Sequence, residues 1–149
     1  MGVRQRDPRA RAGLSVTRLA RLWTNDVETG RSAAYPDVRP LGLPLTPADA
    51  YELALAVARA MPRWTIVRED PVRRRLHAEA RTKRVGFVDD VTVWVEDAAP
   101  AGAPEARAAA HSRLHARSRS RVGITDFGTN ARRLRAYLAA VAAGAPGGA

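Results

Sequence analysis

The amino-acid sequence predicts an α+β domain with a four-stranded antiparallel β-sheet and an N-terminal and a C-terminal helix packed on one face, in the order α-β-β-β-β-α. Three observations predict this fold class. A helical pattern precedes the strand-like segments, a second helical pattern follows them, and no helix-length apolar period separates one strand from the next. Consecutive strands without a crossover helix favour an antiparallel meander, whose apolar face the helices then cover.

The length of 149 residues suits a single domain, because a chain of this size can bury a core without metal or disulfide support. The absence of cysteine excludes disulfides, a cysteine nucleophile and thiolate metal sites. No stretch approaches the roughly 18 apolar residues of a transmembrane segment, and no signal-peptide run follows the basic N-terminus. We therefore expect a cytoplasmic protein, with a peripheral location at the membrane as the alternative.

The formal net charge of +10 is unevenly distributed along the chain. Residues 1–22 contain six arginines and one acidic residue, so half of the excess lies in a predicted basic tail, residues 1–23, which could include a short helix. The predicted domain covers residues 24–142, and residues 143–149 are predicted to be a disordered tail. Such a charge suits an anionic small molecule, nucleic acid or an acidic membrane surface. The alternative is a coding bias towards arginine together with a solvated tail.

The first predicted helix covers residues 47–60. Thr46 can cap it, and Pro47 suits the first helical position because its missing N–H would be unpaired there in any case. Apolar residues recur at three- and four-residue spacing, which gives one buried face, and Pro62 ends the pattern. The preceding residues 24–45 are rich in proline and are predicted to form an extended lead-in.

Four strand-like segments follow the helix, and most show apolar side chains at every second position. They cover residues 64–67, 73–82, 87–96 and 111–121. The third segment places three valines inward, and the fourth alternates small or apolar residues with arginine or histidine. Residues 97–110 are rich in alanine and proline, and they predict a loose loop.

The final predicted helix follows Gly123. Thr125 and Asp126 offer side-chain oxygens that can cap its N-terminus. Apolar residues between Ala131 and Val141 recur at helical spacing and line one face. Gly144 is predicted to end the helix, because glycine readily adopts the backbone conformation of a helix C-terminus.

Three arginines give the last strand its most distinctive chemistry. Arg117, Arg119 and Arg121 share one face of the strand at a spacing of roughly 6–7 Å between neighbours. Like charges this close need an anionic partner. Acidic residues on neighbouring strands, such as Asp90, could supply it internally. The alternative is an external phosphate, nucleic acid or acidic lipid head group, because the guanidinium group matches phosphate oxygens.

Asp89 and Asp90 begin the valine-rich strand and point to opposite faces of the sheet. Asp89 tends inward, where a carboxylate needs an arginine or backbone donors to offset its desolvation. Asp90 falls on the polar face, where it could fix the strand register by ion pairing or act as a ligand-binding or catalytic carboxylate. Its candidate partners across the sheet are Arg81, Arg117 and Arg119.

The turn that precedes the final helix is a second candidate site. Free backbone N–H groups at a helix N-terminus can hold an anion, and Arg121 would assist. The alternative is that Asp126 or Thr125 caps the helix while Asn130 bonds to the adjacent loop. The turn lacks the lysine and the glycine spacing of a P-loop, and it is not a dinucleotide fingerprint.

Ser118 and Ser120 share the inward side of the last strand. This parity predicts packing or hydrogen bonding to the backbone rather than a nucleophile. Two histidines four residues apart would be spread by roughly 13 Å along a strand, which does not suit a metal. No metal or cofactor is predicted. An enzyme alternative would be a small hydrolase or isomerase with Asp90 or Asp126 as the base.

Two sequence motifs resemble those of a known family. Residues 117–133 read RSRSRVGITDFGTNARR, which resembles the run that precedes the last helix in the family of unknown function DUF1499. Residues 86–91 read GFVDDV and resemble its second signature, a glycine and an aromatic residue followed by an Asp-Asp pair. Trp64 and the lead-in at residues 34–37 also fit. The resemblance covers about residues 24–142, and it implies no activity, because none is established for the family.

The sequence therefore predicts a non-catalytic binding or interaction module that engages an anionic ligand or partner. One alternative is association with nucleic acid or an acidic membrane surface through the basic tail and the arginine-rich strand. The other is the small enzyme described above. The candidate ligand-binding residues are Arg81, Asp89, Asp90, Arg117, Arg119, Ser120, Arg121, Asp126 and Asn130.

Overall fold

The computed structural model describes residues 24–83, 85–98, 111–123, 126 and 128–147. The predicted basic tail, most of the predicted alanine-rich loop and Thr125 lie outside these residues. The elements in chain order are β1 (Asp26–Glu28), β2 (Leu41–Leu43), α1 (Pro47–Ala60), β3 (Trp64–Asp70), β4 (Arg75–Arg81), β5 (Val88–Asp97), β6 (Ser112–Ser120) and α2 (Thr129–Gly144). The α+β class is confirmed.

All the strands belong to one sheet, in which β3, β4, β5 and β6 form the predicted antiparallel meander. The predicted count of four strands was wrong, because β1 and β2 also pair with the outer edge of β6. The order of elements is therefore β-β-α-β-β-β-β-α. Each added strand is only three residues long, too short to show an alternation. These strands exist because the edge of β6 offers unpaired backbone N–H and C=O groups.

Helix α1 begins and ends as the sequence predicts. The backbone N–H of Asp49 donates to Thr46 Oγ1 at 3.1 Å, and the Thr46 hydroxyl donates to Asp49 Oδ2 at 2.7 Å. This reciprocal pair satisfies one of the backbone donors left over at a helix N-terminus. Pro47 occupies the first turn, and the helix ends at Ala60, two residues before Pro62.

The core lies between the sheet and the two helices, both of which pack against it. Full burial of a side chain such as Leu76, Leu114 or Leu134 stabilises the fold by about 1.5–3 kcal/mol. Tyr137 of α2 joins the two helices, since its buried hydroxyl donates to the Ala54 carbonyl oxygen at 2.8 Å. Its ring also stacks on that of Trp64, with centroids 5.1 Å apart.

Strand β3 forms one edge of the sheet and extends to Asp70, beyond the predicted end at residue 67. Its register with β4 shifts between Ile66 and Arg68, so Val67 stands outside the ladder and is exposed. Such a bulge discourages pairing with another chain, because it interrupts the row of free backbone groups.

Helix α2 ends at Gly144, as the sequence predicts. Of the helices in the described part of the chain, none has the length and apolar character that crossing a membrane requires.

Candidate ligand-binding cleft

Strand β6 shows the predicted alternation of side chains. Leu114, Ala116 and Ser118 are fully buried, whereas Arg119 is exposed and Arg117 is partly exposed on the opposite face. Arg121 follows directly after the strand. The burial pattern along β6 confirms the predicted alternation, which places Arg117 and Arg119 on the same face of the strand.

Internal carboxylates neutralise two of these three arginines. Arg117 forms a two-pronged ion pair with Asp26 of β1, in which its Nε donates to Oδ1 at 2.8 Å and its Nη2 donates to Oδ2. Arg121 contacts Asp90 at 2.6 Å and Glu79 at 2.7 Å through its Nη2. These hydrogen bonds raise the pKa of both arginines above the ordinary value. Much of the charge on this face is thus compensated within the molecule.

The ion pair of Asp90 differs from the prediction. Its carboxylate binds Arg121 and not the candidate partners Arg81, Arg117 or Arg119. Arg119 lies directly opposite Asp90 in the register of β5 and β6. Arg121 lies two residues further along, and a guanidinium group readily reaches this diagonal neighbour.

The side chain of Asp89 lies on the core side of the sheet, as the alternation of side chains along the strand predicts. It is 2% exposed, and its Oδ2 accepts a hydrogen bond of 2.7 Å from Arg133 Nη2 of α2. The predicted need for an arginine partner is met by a residue that the sequence analysis did not single out. The Nη1 of Arg133 donates to Ser118 Oγ at 2.8 Å, so the same guanidinium group bridges β5 and β6.

Asn130 extends this buried network. Its Nδ2 donates to Ser120 Oγ and to the Asn25 carbonyl oxygen, both at 3.0 Å. Its Oδ1 accepts from the Ser118 hydroxyl and from Arg133 Nη1, both at 2.6 Å. The predicted inward serines therefore form hydrogen bonds with α2, and Asn130 attaches this helix to β6 and to the segment before β1.

Asp126 lies in the turn before α2, where the sequence offered either a cap or an anion site. Its Oδ1 accepts the Gly128 N–H at 2.9 Å, and its Oδ2 accepts the Asn130 N–H at 2.6 Å. An internal carboxylate thus takes the backbone donors that an external anion would need. Gly128 has a φ of 77°, and a Cβ there would lie 3.2 Å from Tyr35 Oη, which explains the glycine.

A cleft of about 910 Å³ lies where β3 and β5 begin and β4 and β6 end. The antiparallel arrangement brings these four strand termini to the same end of the sheet. The turn before β3, the hairpin loop between β4 and β5, and the first turns of α2 complete the walls. Of the predicted site residues, Arg81, Asp89, Ser120 and Asp126 line this cleft.

The cleft is lined by four exposed cations, Arg63, Arg81, Lys83 and Arg132. The first three are here called the cleft cations. Within the described part of the chain, no carboxylate lies within ion-pairing distance of any of them. The two carboxylates of the cleft are already engaged, Asp89 with Arg133 and Asp126 with the α2 backbone. The cleft therefore carries an excess of positive charge.

Arg63 adopts a left-handed backbone conformation with a φ of 61°, which is uncommon for a residue with a side chain. Two hydrogen bonds hold it beside Arg81. The Arg81 N–H donates to the Arg63 carbonyl oxygen at 3.0 Å, and Arg63 Nε donates to the Arg81 carbonyl oxygen at 3.3 Å. Left-handed non-glycine residues cost of order 1–3 kcal/mol and concentrate at functional sites.

Apolar side chains stand beside the cations. Val85, Phe87 and Val122, here called the cleft mouth, are 65%, 47% and 59% exposed. Half-buried Trp64 lines the cleft as well. Water-exposed apolar groups grouped in a concave surface usually mark a binding site.

The sequence analysis missed Arg63, Lys83, Arg133 and the cleft mouth. Arg63 and Lys83 belong to turns, which have no periodicity to assign a direction to the side chain. A usable signal was present in Val85 and Phe87, because a loop runs over the surface, where such side chains are seldom buried. The predicted region nevertheless overlaps the cleft, because both DUF1499-like motifs contribute lining residues.

Comparison with characterised proteins and with solved structures found no match. One family model does match, over residues 18–141, and its description is "Protein of unknown function (DUF1499)". The matched region includes every element of the sheet and most of α2. The predicted resemblance is confirmed. Since the match covers most of the chain, the protein belongs to the DUF1499 family.

Proposed function

We propose that this protein is a binding module that takes an anionic ligand with an apolar portion into the cleft. The observation that carries the proposal is the meeting of the cleft cations, which lack a carboxylate partner among the described residues, with the exposed apolar side chains of the cleft mouth. This proposal keeps the predicted class of ligand and moves its site from the arginine-rich face of β6 to the end of the sheet.

The charge of the ligand follows from the pairing of the cleft residues. The carboxylates of Asp89 and Asp126 are engaged by internal donors, so the guanidinium groups of Arg63 and Arg81 have no counter-charge among the described residues. Guanidinium groups bind carboxylate and phosphate oxygens through paired hydrogen bonds. A carboxylate, phosphate or sulfate group would therefore supply the missing counter-charge.

The apolar portion of the ligand follows from the walls. Phe87, Val85 and Val122 expose carbon surface that a ligand would remove from water, at about 25 cal/mol per Å² of apolar area. The cleft volume of about 910 Å³ is within the range of sites that bury most of a small molecule. An acyl chain or a similar hydrocarbon portion matches this lining better than a fully polar anion does.

The alternatives have less support. The enzyme hypothesis relied on Asp90 or Asp126 as a base, but Asp90 is ion-paired with Arg121 and Asp126 caps α2. The nucleic-acid hypothesis relied partly on the arginines of the last strand, and Arg117 and Arg121 already have internal carboxylate partners. A binding function needs no free base and no continuous row of free cations.

The proposal is tested by titrating the protein with dansyl-labelled undecanoic acid, a fluorescent fatty acid, and with its uncharged methyl ester. The double variant Arg81→Gln/Lys83→Gln is expected to bind the acid about tenfold or more weakly, because a hydrogen bond to a charged group contributes about 1.5–3 kcal/mol. Binding of the ester is expected to be weak in both proteins.

The matched control is Arg113→Gln/Arg119→Gln, which removes two exposed arginines of β6 that do not line the cleft. Its affinity for the acid is expected to equal that of the unmodified protein. An equal loss in both double variants, or an ester that binds as tightly as the acid, would contradict the proposed function.

A further inference from the structure

The two loops at the cleft mouth present apolar side chains beside cations. Val85 and Phe87 lie in the hairpin loop between β4 and β5, and Val122 lies after β6. These positions come together because β4 and β6 both end, and β5 begins, at the same end of the sheet. Apolar groups at one end of a domain are costly in water unless a partner covers them.

Cations closely precede part of this apolar group in the sequence. The segment from Arg81 to Val88 reads RTKRVGFV, in which three basic residues precede Val85 and Phe87 and no residue is acidic. Arg81 and Lys83 are exposed, and no carboxylate in the described part of the chain pairs with them. Positive charge therefore lies beside the exposed valine and phenylalanine side chains of the hairpin.

We propose that the cleft mouth docks onto the surface of an anionic lipid bilayer, with Val85, Phe87 and Val122 entering the interface and the cleft cations facing acidic head groups. This inference rests on the proposed function, because it makes the anionic, partly apolar ligand a membrane lipid. An interfacial surface of this kind combines buried apolar area with attraction to anionic lipids. The surface differs from the basic tail and arginine-rich strand that the sequence suggested for membrane contact.

Charge complementarity selects a bilayer as the partner. A protein partner with an acidic surface would satisfy the cations but would leave the exposed hydrocarbon of Phe87 and Val85 unmatched unless it also carried an apolar patch. An acidic membrane offers both properties in adjoining layers, with phosphate groups outside and acyl chains beneath. The hairpin likewise carries cations directly beside exposed hydrocarbon.

The experiment is co-sedimentation of the full chain with vesicles of phosphatidylcholine, with and without phosphatidylglycerol. The protein is expected to sediment only with the vesicles that contain phosphatidylglycerol. The variant Val85→Ser/Phe87→Ser is expected to lower the partition coefficient about tenfold, because interfacial binding scales with buried apolar area. It retains every basic residue, so a loss cannot be attributed to charge.

The control variant Val67→Ser/Val72→Ser removes two exposed valines that do not line the cleft, and its partition is expected to be unchanged. A third variant, Phe87→Trp, keeps an apolar side chain, and its added fluorescence is expected to be quenched by brominated phosphatidylglycerol. If Val85→Ser/Phe87→Ser and Val67→Ser/Val72→Ser have the same partition coefficient, the docking proposal is overturned. Attachment through the basic tail would produce that result.

The outcomes separate this inference from the proposed function. Binding of the dansyl fatty acid in solution, with no sedimentation on anionic vesicles, would overturn docking and leave the proposed function standing. Mouth-dependent sedimentation without binding of the dansyl fatty acid would contradict the proposed function. In that case the mouth would be a membrane anchor, and the lipid-binding part of the inference would fail with the proposed function.

Discussion

Arg133 of α2 and Asp89 of β5 form a buried ion pair, with Nη2 and Oδ2 2.7 Å apart and side chains that are 9% and 3% exposed. The pair connects the final helix to the middle of the sheet at the floor of the cleft. Hydrogen bonds from Arg133 to Ser118 and Asn130 complete the network. Removing either member would leave the other charge desolvated without a counter-charge.

The first prediction follows from that burial. Arg133→Met is expected to lower the free energy of unfolding by about 3–5 kcal/mol, because an unpaired buried charge costs that much. The matched control is Asp37→Asn, which breaks the exposed pair with Arg135 and is expected to cost about 1 kcal/mol or less. Urea unfolding at neutral pH measures both. Similar small losses in the two variants would show that the Asp89 pair is not desolvated as the structure indicates.

The second prediction concerns the start of α2. Gly128→Ala is expected to destabilise the protein by about 1–2 kcal/mol for the left-handed backbone, and further through contact with the Tyr35 hydroxyl. Gly86→Ala is the control, since Gly86 has a φ of 72° but nothing within 4 Å of an added Cβ. Thermal unfolding of the two variants separates strain from contact. If Tyr35→Phe does not restore part of the stability of Gly128→Ala, the contact is not the cause.

The third prediction separates strain from binding at Arg63. Arg63→Gly is expected to retain or slightly increase stability, because glycine adopts a positive φ freely, while binding of the dansyl fatty acid weakens. Arg74 also has a positive φ, of 48°, but does not line the cleft, so Arg74→Gly serves as the binding control. Fluorescence titration and urea unfolding on the same samples test the pair. If Arg63→Gly and Arg74→Gly bind the dansyl fatty acid with equal affinity, Arg63 does not contribute to binding.

The fourth prediction concerns pH. Desolvation lowers the pKa of His77, and nearby arginines reinforce that shift. Desolvation also lowers the pKa of His115, although the Glu96 carboxylate opposes the shift. The unfolded chain therefore binds protons more readily than the folded protein. Stability is greatest at pH values above the histidine pKa of the unfolded chain, and it falls as the pH decreases below about 6.5. The double variant His77→Asn/His115→Asn is expected to show a shallower loss of unfolding free energy between about pH 7 and pH 5. An unchanged slope would contradict the assignment.

Local sequence patterns predicted the parts of the fold that depend on neighbouring residues. The cap at Thr46, the stop before Pro62 and the end of α2 at Gly144 are set within one or two turns of chain, and all three were found. The alternation along β6 was also found, because one face of the strand must be apolar to be buried. The short strands β1 and β2 were not found, since their pairing is long-range and their sequences are too brief to carry a period.

The candidate site was predicted less completely than the fold. The alternation of side chains along β5 placed Asp89 inward, where a carboxylate needs a partner such as an arginine. It could not identify Arg133, which lies 44 residues away in the chain. The same alternation placed Asp90 on the polar face but did not identify Arg121 as its partner. The sequence assigns a side chain to a face, whereas the partner depends on which elements the sheet brings together.

Patterns in the amino-acid sequence were enough to establish the α+β class, the limits of α1, the inward and outward faces of the long strands and the family. The six-stranded sheet, the internal pairing of Arg117 and Arg121 and the assembly of the cleft became known from the three-dimensional structure. The physical reason is range: caps and alternation arise from interactions between near neighbours in the chain. A cleft arises where strand ends and loops distant in sequence meet, and its charge is known only when each ion pair has been assigned.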